Sequence, residues 1–118
     1  MGKNSLEFVE FIKEQLAPLG ELTTTRFFGG IGLTANGKQF GILMDNSVYF
    51  VVNNTTQPIY EKMGSSCFSY ITKKGRVNVN RYFEVPAQAL EEPPQLIALA
   101  VESIAVAHSA VSAKKQSA

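Results

Sequence analysis

The spacing of apolar residues changes along the chain and divides it into helical and extended segments. Apolar side chains first recur at intervals of three and four residues between Leu6 and Leu16, which predicts an amphipathic helix. We expect Asn4 to cap this helix, with Glu7 three residues later completing a capping box. Pro18 then ends it, because a proline cannot continue the helical hydrogen bonds.

A period of two replaces the helical spacing at residue 22 and indicates strands. The strands that this alternation predicts in the first half of the chain cover residues 22–28, 32–35, 38–44 and 47–52. The dipeptide Asn36-Gly37 is typical of a type I′ turn, because both central positions of that turn have a positive φ. Asp45-Asn46 is expected to form the next turn. These segments predict an antiparallel meander of three or four strands.

The second half of the chain is expected to begin with a short helix over residues 55–63, capped by Asn53 or Asn54 and closed by Gly64. A second hairpin follows, with strands over 67–73 and 76–85 around Lys74-Gly75. One or two helical turns over 86–91 precede a longer helix that starts at Pro93. The apolar face predicted for this last helix consists of Leu96, Leu99, Ala100, Ile104 and Ala107.

The element order predicts an α+β fold of two layers. A single antiparallel sheet with the order α-β(3–4)-α-β(2)-α would be flanked by its helices. Residues 1–108 are expected to form one domain, and residues 109–118, which are small, polar and lysine-containing, a flexible C-terminal tail.

The composition excludes several classes of protein. The chain has 118 residues, a formal net charge of +1 and a single cysteine, so an internal disulfide framework and a cysteine-based zinc site are excluded. No apolar run is long enough for a transmembrane helix, and no contact with a membrane is expected. Acidic residues interrupt the first apolar stretch, which argues against a signal peptide and indicates the cytoplasm. The charge is also lower than that of a dedicated nucleic-acid binder.

The residues that most often perform catalysis do not form a recognisable set. Cys67 and His108 are far apart in the sequence and have no evident third partner, and Glu91-Glu92 precede a proline at a helix start. The glycines in residues 27–33 do not match a phosphate-binding motif, and a close approach of two backbone segments explains them better. We therefore expect no catalytic residue, no metal, no cofactor and no enzymatic activity.

Basic residues are concentrated in the second hairpin. Four of them fall within nine residues with no acid among them, and Tyr70 and Tyr82 lie at either end. Such a ribbon can contact phosphates, although lysines at a solvated hairpin tip also protect a sheet edge. Arg26, on an earlier strand, could join this patch or pair with a carboxylate. The residues predicted to bind nucleic acid or a partner are Arg26, Lys73, Lys74, Arg76 and Arg81.

Several motifs occur in a specific order along residues 5–108. They are RFFGGIGL at 26–33, Asp45 followed by Tyr49, FSYITKKGR at 68–76, and YFEVP at 82–86. Together they resemble the N-terminal domain of the TfoX/Sxy family, bacterial regulators of competence for DNA uptake. The resemblance implies a small α+β domain with one antiparallel sheet and flanking helices.

The resemblance also implies a function. Members of this family act as transcriptional co-regulators, working with the cyclic-AMP receptor protein, and are not enzymes. The implied partner is a protein such as a DNA-bound transcription factor, with weak or indirect DNA contact and with homodimerisation left open. The full-length regulators have a second, helical domain, so we expect this chain to be a standalone member or one domain of such a regulator.

An alternative function is a dimeric, chaperone-like module that binds peptides or proteins without contacting nucleic acid. That function would require an exposed apolar stripe on the last helix. The residues expected to form this stripe are Leu96, Leu99, Val101 and Ile104.

Overall fold

The helices and strands were located in a computed structural model that describes residues 3–27 and 29–117, without the side chains of residues 110–117. The helices are α1 (Leu6–Leu16), α2 (Gln57–Lys62), α3 (Ala87–Leu90) and α4 (Pro93–Ser117), with a short 3₁₀ turn at Ala17–Leu19. The strands are β1 (Thr23–Phe27), β2 (Gly30–Ala35), β3 (Lys38–Met44), β4 (Ser47–Val51), β5 (Cys67–Thr72) and β6 (Gly75–Glu84).

The six strands form one antiparallel sheet in the order β1-β2-β3-β4-β6-β5. Strands β1 to β4 make the predicted meander, and β6 pairs with β4 while β5 lies outside it at the edge. The predicted α+β class with a single antiparallel sheet is confirmed. Phe28, which was expected to end the first strand, lies outside the described residues.

The turns between β2 and β3 and between β3 and β4 form where the sequence predicts them. Asn36 and Gly37 have φ values of 51° and 82°, and Asp45 and Asn46 have φ values of 52° and 58°. All four residues therefore occupy the left-handed region that a type I′ turn requires, and the predicted turns are confirmed. The second hairpin differs from its prediction by one residue. Thr72 pairs with Gly75, so Lys73 and Lys74 form its tip instead of Lys74-Gly75.

The predicted cap of α1 is wrong. Ser5 is the N-cap, and its hydroxyl oxygen accepts a hydrogen bond of 3.1 Å from the backbone N–H of Phe8. The Asn4 side chain is engaged by the turn between β3 and β4 and does not cap the helix. The buried face of α1 is also narrower than predicted, because Leu6 is 73% exposed while Ile12 and Leu16 are buried.

One face of the sheet packs against helices, and we call it the helix face. A row of paired residues crosses four strands on this face and consists of Leu33, Gly41, Phe50 and Phe83. At one end of the row, Phe83 packs against Tyr60 of α2, with ring centroids 6.3 Å apart. Gly41 leaves room for the Phe50 ring, because a Cβ at Gly41 would lie 3.0 Å from that ring.

The opposite face carries a cluster of aromatic rings, and we call it the aromatic face. Phe27 on the edge strand β1 lies 6.4 Å from both Phe68 and Tyr82, and Tyr49 meets Phe68 edge-on at 5.2 Å. Phe68 belongs to β5, the other edge strand, so the sheet coils until its two edges meet at these rings. This coiling explains why Val51, which shares the aromatic face, is completely buried.

Helix α4 is anchored to the sheet, and the burial of its apolar face bears on the alternative function. The Ser103 hydroxyl is buried and donates a 3.0 Å hydrogen bond to the carbonyl oxygen of Val51. Leu96 and Leu99, two residues of the predicted apolar face, are 0% and 7% exposed, whereas Val101 is 53% exposed, so the exposed stripe that the chaperone-like alternative requires is not formed. No helix of the described chain has the length and apolarity needed to cross a membrane.

The segment predicted to be a flexible tail continues α4 as far as Ser117. Its mobility, and the division of the chain at residue 108, stay predictions. Ala118 lies outside the described residues.

Candidate nucleic-acid interface

Strands β5 and β6 form a two-stranded ribbon whose tip is held by its own backbone and one threonine. The Thr72 hydroxyl donates to the carbonyl oxygen of Gly75 at 3.0 Å and accepts from the N–H of Lys74 at 3.1 Å. Gly75 has a φ of 117°, a conformation that side-chain-bearing residues rarely adopt. This turn leaves the side chains of Lys73 and Lys74 exposed at the end of the ribbon.

The ribbon has two chemically different faces, because side chains alternate across paired strands. Its apolar side belongs to the aromatic face and carries the pairs Phe68–Val79 and Tyr70–Val77. Its other side carries the pairs Ser69–Asn78 and Ile71–Arg76. The alternation of exposed and half-buried positions continues through Asn80, which is exposed. We call this second side, with Ser69, Ile71, Arg76, Asn78 and Asn80, the polar face of the ribbon.

Three of the predicted basic residues lie at or next to the tip. Lys73 and Lys74 are exposed, and Arg76 is exposed on the polar face. The Arg76 guanidinium donates a 3.2 Å hydrogen bond to the hydroxyl of Ser69, which holds the arginine over the ribbon.

Arg81 lies in an irregular part of β6. Phe68 pairs with Val79 while its neighbour Cys67 pairs with Phe83, so β6 contains extra residues opposite this step. The carbonyl oxygen of Arg81 accepts a 2.6 Å hydrogen bond from the N–H of Val52, and its side chain is exposed. The bulge therefore fixes the backbone of Arg81 to the end of β4 and leaves its charge in solvent.

Arg26 is separate from the other four basic residues. It pairs with Ile31 on the edge strand β1 and is exposed. Its neighbour Phe27 reaches Phe68 and Tyr82, but adjacent residues of a strand point to opposite faces. Arg26 therefore lies on the side away from the aromatic cluster. The structure places Lys73, Lys74, Arg76 and Arg81 on one ribbon and Arg26 on another strand.

The ribbon is the most positively charged segment of a nearly neutral chain. Residues 67–83 contain four basic side chains and no acidic one, whereas the whole chain has a net charge of +1. The charges lie on a two-stranded element whose base is fixed by aromatic packing of Phe68. An exposed and positively charged ribbon with a packed base is suited to contact with phosphates.

The other candidate residues do not form a site. Cys67 is a half-buried free thiol, and the Nδ1 atom of His108 lies 2.8 Å from the carbonyl oxygen of Ile104, one turn earlier in α4. Among the side chains that the structure describes, no group of three or more His, Cys, Asp or Glu residues is placed to hold a metal ion.

The glycine-rich segment serves backbone packing, as predicted. A Cβ on Gly30 would collide with the carbonyl oxygen of Leu43 and would lie 3.0 Å from the sulfur of Met44. Gly29 has a φ of 83° and turns the chain from β1 into β2. The segment is therefore a turn followed by a strand, with no helix N-terminus to receive a phosphate.

An apolar groove of about 420 Å³ lies between α1 and the start of the sheet. Its lining includes Ile12, Leu16, Leu22 and Leu33, with Lys13 and Glu21 among the polar residues. It is on a different part of the molecule from the ribbon and contains none of the five predicted basic residues.

The sequence reasoning missed the polar face of the ribbon. The sequence predicts a strand over 76–85 and a basic patch on it, but the patch was defined by its charges and left out the asparagines beside Val77 and Val79. The available signal was the strict alternation in RVNVN at 76–80, which places one arginine and two asparagines on the same side of a strand.

Comparison with known proteins gives a family for this fold. The model of the TfoX N-terminal domain matches residues 14–107, which is more than half of the chain. The chain is also similar to the DNA transformation protein TfoX1 of Aliivibrio fischeri (strain ATCC 700601 / ES114), with 26% identity over 97 residues. That alignment covers 82% of this chain and 44% of the relative, so the chain spans less than half the length of that protein.

Proposed function

This chain belongs to the TfoX N-terminal domain family, and on that basis we propose that it is a non-enzymatic regulatory domain in competence for DNA uptake. In this proposal the domain binds a DNA-bound transcription factor and uses the β5–β6 ribbon for additional contact with the DNA. The cyclic-AMP receptor protein is the first partner to test. The name of the relative TfoX1, a DNA transformation protein, supports the biological role.

The observation that carries the proposal is the concentration of exposed positive charge on one ribbon of a family member. Lys73, Lys74, Arg76 and Arg81 are all exposed. Arg26, which was predicted with them, lies on β1 and is proposed only as a secondary contact.

The strength of the expected DNA contact suits a co-regulator. If four phosphates are neutralised, the logarithm of the affinity falls with the logarithm of the salt concentration with a slope of about −3.6. The affinity then drops roughly a hundredfold between about 50 and about 200 mM salt. Such a contact is weak alone and becomes useful when a partner already holds the domain next to the DNA.

The test is a titration of a labelled duplex with the domain, followed by fluorescence anisotropy at both salt concentrations. The ribbon variant changes Lys73, Lys74, Arg76 and Arg81 to Ala. The matched control changes Lys3, Lys13, Lys38 and Lys62 to Ala and therefore has the same net charge. We expect the control to bind with the wild-type salt slope, and the ribbon variant to lose nearly all measurable binding.

A second titration places the cyclic-AMP receptor protein on a duplex that contains its site before the domain is added. We expect the wild-type domain to join this complex more tightly than it binds free DNA, and the ribbon variant to join it more weakly than the wild type does. Equal binding of wild type and ribbon variant, in both titrations, would show that the ribbon is not used.

The alternative function, a chaperone-like module, required an exposed apolar stripe on α4, and this stripe is not exposed. Leu96 and Leu99 are buried beneath α4 and are not available to a peptide. Homodimerisation does not depend on this stripe and stays a prediction. Sedimentation of the purified domain at several concentrations measures its oligomeric state directly.

A further inference from the structure

The polar face of the ribbon has a composition that phosphate contact does not explain. Ile71 is 58% exposed, although it lies in a strand beside Arg76. Asn78 and Asn80 are both exposed next to it on β6. Asparagine amides can donate hydrogen bonds to phosphate oxygens but carry no charge, so they add nothing to the salt-dependent attraction, and an exposed aliphatic side chain adds nothing to phosphate binding at all. The face therefore calls for a second type of contact.

We propose that the polar face of the β5–β6 ribbon reads base edges in the major groove of duplex DNA. This inference rests on the proposed function, because it assigns a sequence-reading role to the same ribbon. On an unrelated duplex the four basic residues of the ribbon would contact phosphates. On a recognised sequence Lys73 and Lys74 at the tip would keep their phosphate contacts, while Arg76, Asn78 and Asn80 face the bases.

The dimensions of the ribbon fit this arrangement. The major groove is about 12 Å wide and admits a two-stranded β-ribbon. Alternate residues of a strand are about 6.8 Å apart, which equals about two base-pair steps of roughly 3.4 Å each. Arg76 and Asn78 are therefore about two base-pair steps apart, and Asn80, at the start of the irregular step of β6, extends this reach to at most about four.

The side chains match the chemistry of base edges. Arginine forms two hydrogen bonds with guanine, and asparagine forms two with adenine. Ile71, opposite Arg76, offers the apolar contact that a thymine methyl group accepts. The hydrogen bond from Arg76 to Ser69 orients the guanidinium before binding, which reduces the entropy lost in a complex.

The ribbon is also presented in a fixed orientation. Its apolar side is held by Phe68, which is 3% exposed and packs against Phe27 and Tyr49. Phe68 commits the base of the apolar side to the aromatic cluster, while Tyr70 nearer the tip is 36% exposed, so the polar face with Arg76, Asn78 and Asn80 is the more accessible of the two sides.

The experiment selects binding sequences from duplexes with a randomised central segment, using the wild-type domain at about 50 mM salt. Three variants are then compared on the enriched duplex and on an unrelated duplex. R76K keeps the charge and removes the two-point contact with guanine, N78A/N80A removes both amides, and K73A/K74A removes the tip charges. N54A/Q88A, two exposed polar residues outside the ribbon, is the matched control.

We expect a short enriched motif of about four base pairs that contains guanine and adenine. R76K and N78A/N80A should each lose about 5- to 100-fold in discrimination between the two duplexes, with little change on the unrelated one. K73A/K74A should weaken binding to both duplexes by the same factor and make the salt slope less steep by about 2. The control should behave like the wild type.

Two results would overturn the inference and leave the proposed function in place. The first is salt-dependent binding with no enriched motif. The second is an enriched motif that R76K and N78A/N80A still prefer over the unrelated duplex as strongly as the wild type does. Absence of binding at low salt would overturn both the base reading and direct DNA contact by the ribbon.

Discussion

Asn4 and Asn46, 42 residues apart, join the start of α1 to the turn between β3 and β4. The Asn4 side-chain oxygen accepts from the N–H of Asn46 at 2.9 Å, and the Asn46 side-chain oxygen accepts from the N–H of Ser5 at 2.8 Å. The Asn4 amide nitrogen also donates to the carbonyl oxygen of Leu43 at 3.0 Å. These bonds fix the first helix to the sheet before its first turn begins.

Replacing Asn4 with Ala should therefore destabilise the domain although Asn4 is not the helix cap. Both of its hydrogen bonds are lost, and the carbonyl oxygen of Leu43 is left without this donor. We expect the free energy of unfolding to fall by about 1–2 kcal/mol in urea unfolding followed by circular dichroism. N54A, an exposed asparagine elsewhere, should change it by less than about 0.5 kcal/mol. Similar losses in both variants would contradict the role of the contact.

Gly30 is predicted to tolerate alanine less well than Gly32 does. At Gly30, the added Cβ would collide with the backbone carbonyl of Leu43, which the sheet holds in place. At Gly32, the nearest atoms belong to the side chains of Gln39 and Thr25, which can rotate. We expect G30A to lose about 2 kcal/mol or more of stability and G32A to lose less. Thermal and urea unfolding of the two variants measure this difference, and the reverse order would contradict it.

Tyr60 should make stability depend on pH in the alkaline range. Tyr60 is completely buried, and the loss of hydration raises the pKa of its phenol to about 12. The nearby Ser103 hydroxyl, which donates to the carbonyl oxygen of Val51, lowers this pKa but offsets only part of the rise. Below about pH 10 the phenol is protonated in both the folded and the unfolded states. Between about pH 10 and 12 the unfolded state loses this proton first. The free energy of unfolding then falls by about 1.4 kcal/mol per pH unit.

The variant Y60F separates this effect from the titration of other groups. Within the described part of the chain, the Tyr60 hydroxyl has no hydrogen-bond partner, so its removal should be neutral or slightly stabilising at neutral pH. The difference in stability between Y60F and wild type should then grow from about pH 10 upward. Urea unfolding at about pH 9 and about pH 11 measures it. A difference that does not change with pH would show that Tyr60 ionises equally in both states.

Two apolar residues of α4 should respond very differently to truncation. Leu96 is completely buried, and L96A is expected to destabilise the domain by about 2–5 kcal/mol because it leaves a cavity. Val101 is 53% exposed, and V101A should change stability by less than about 0.5 kcal/mol. Circular dichroism during urea unfolding gives both values. If L96A lost as little stability as V101A, Leu96 would not be packed in the core, and the apolar stripe of α4 would be available to a partner.

The turns and the strand pattern were predictable because their causes are local. Asn36-Gly37 and Asp45-Asn46 tolerate a positive φ, which few other residue pairs do, and this property does not depend on the rest of the fold. The same locality explains why the basic ribbon was visible in the sequence, since its charges lie within nine residues. The choice between Asn4 and Ser5 as a helix cap was not local. Asn4 has an alternative partner 42 residues away that no pattern in its own segment indicates.

By itself, the sequence determined the α+β class, the meander, and the position of the charged ribbon, because periodicity and turn chemistry act over a few residues. The tertiary structure alone decided which surfaces remain free. The sheet coils until Phe27 meets Phe68, which buries the base of the ribbon's apolar side in the aromatic cluster and leaves Arg76, Asn78 and Asn80 exposed on the other side. Packing of Leu96 and Leu99 against the core likewise removed the exposed stripe that the chaperone-like alternative requires. Burial depends on contacts between segments distant in the chain, and a period in one segment cannot specify its partner.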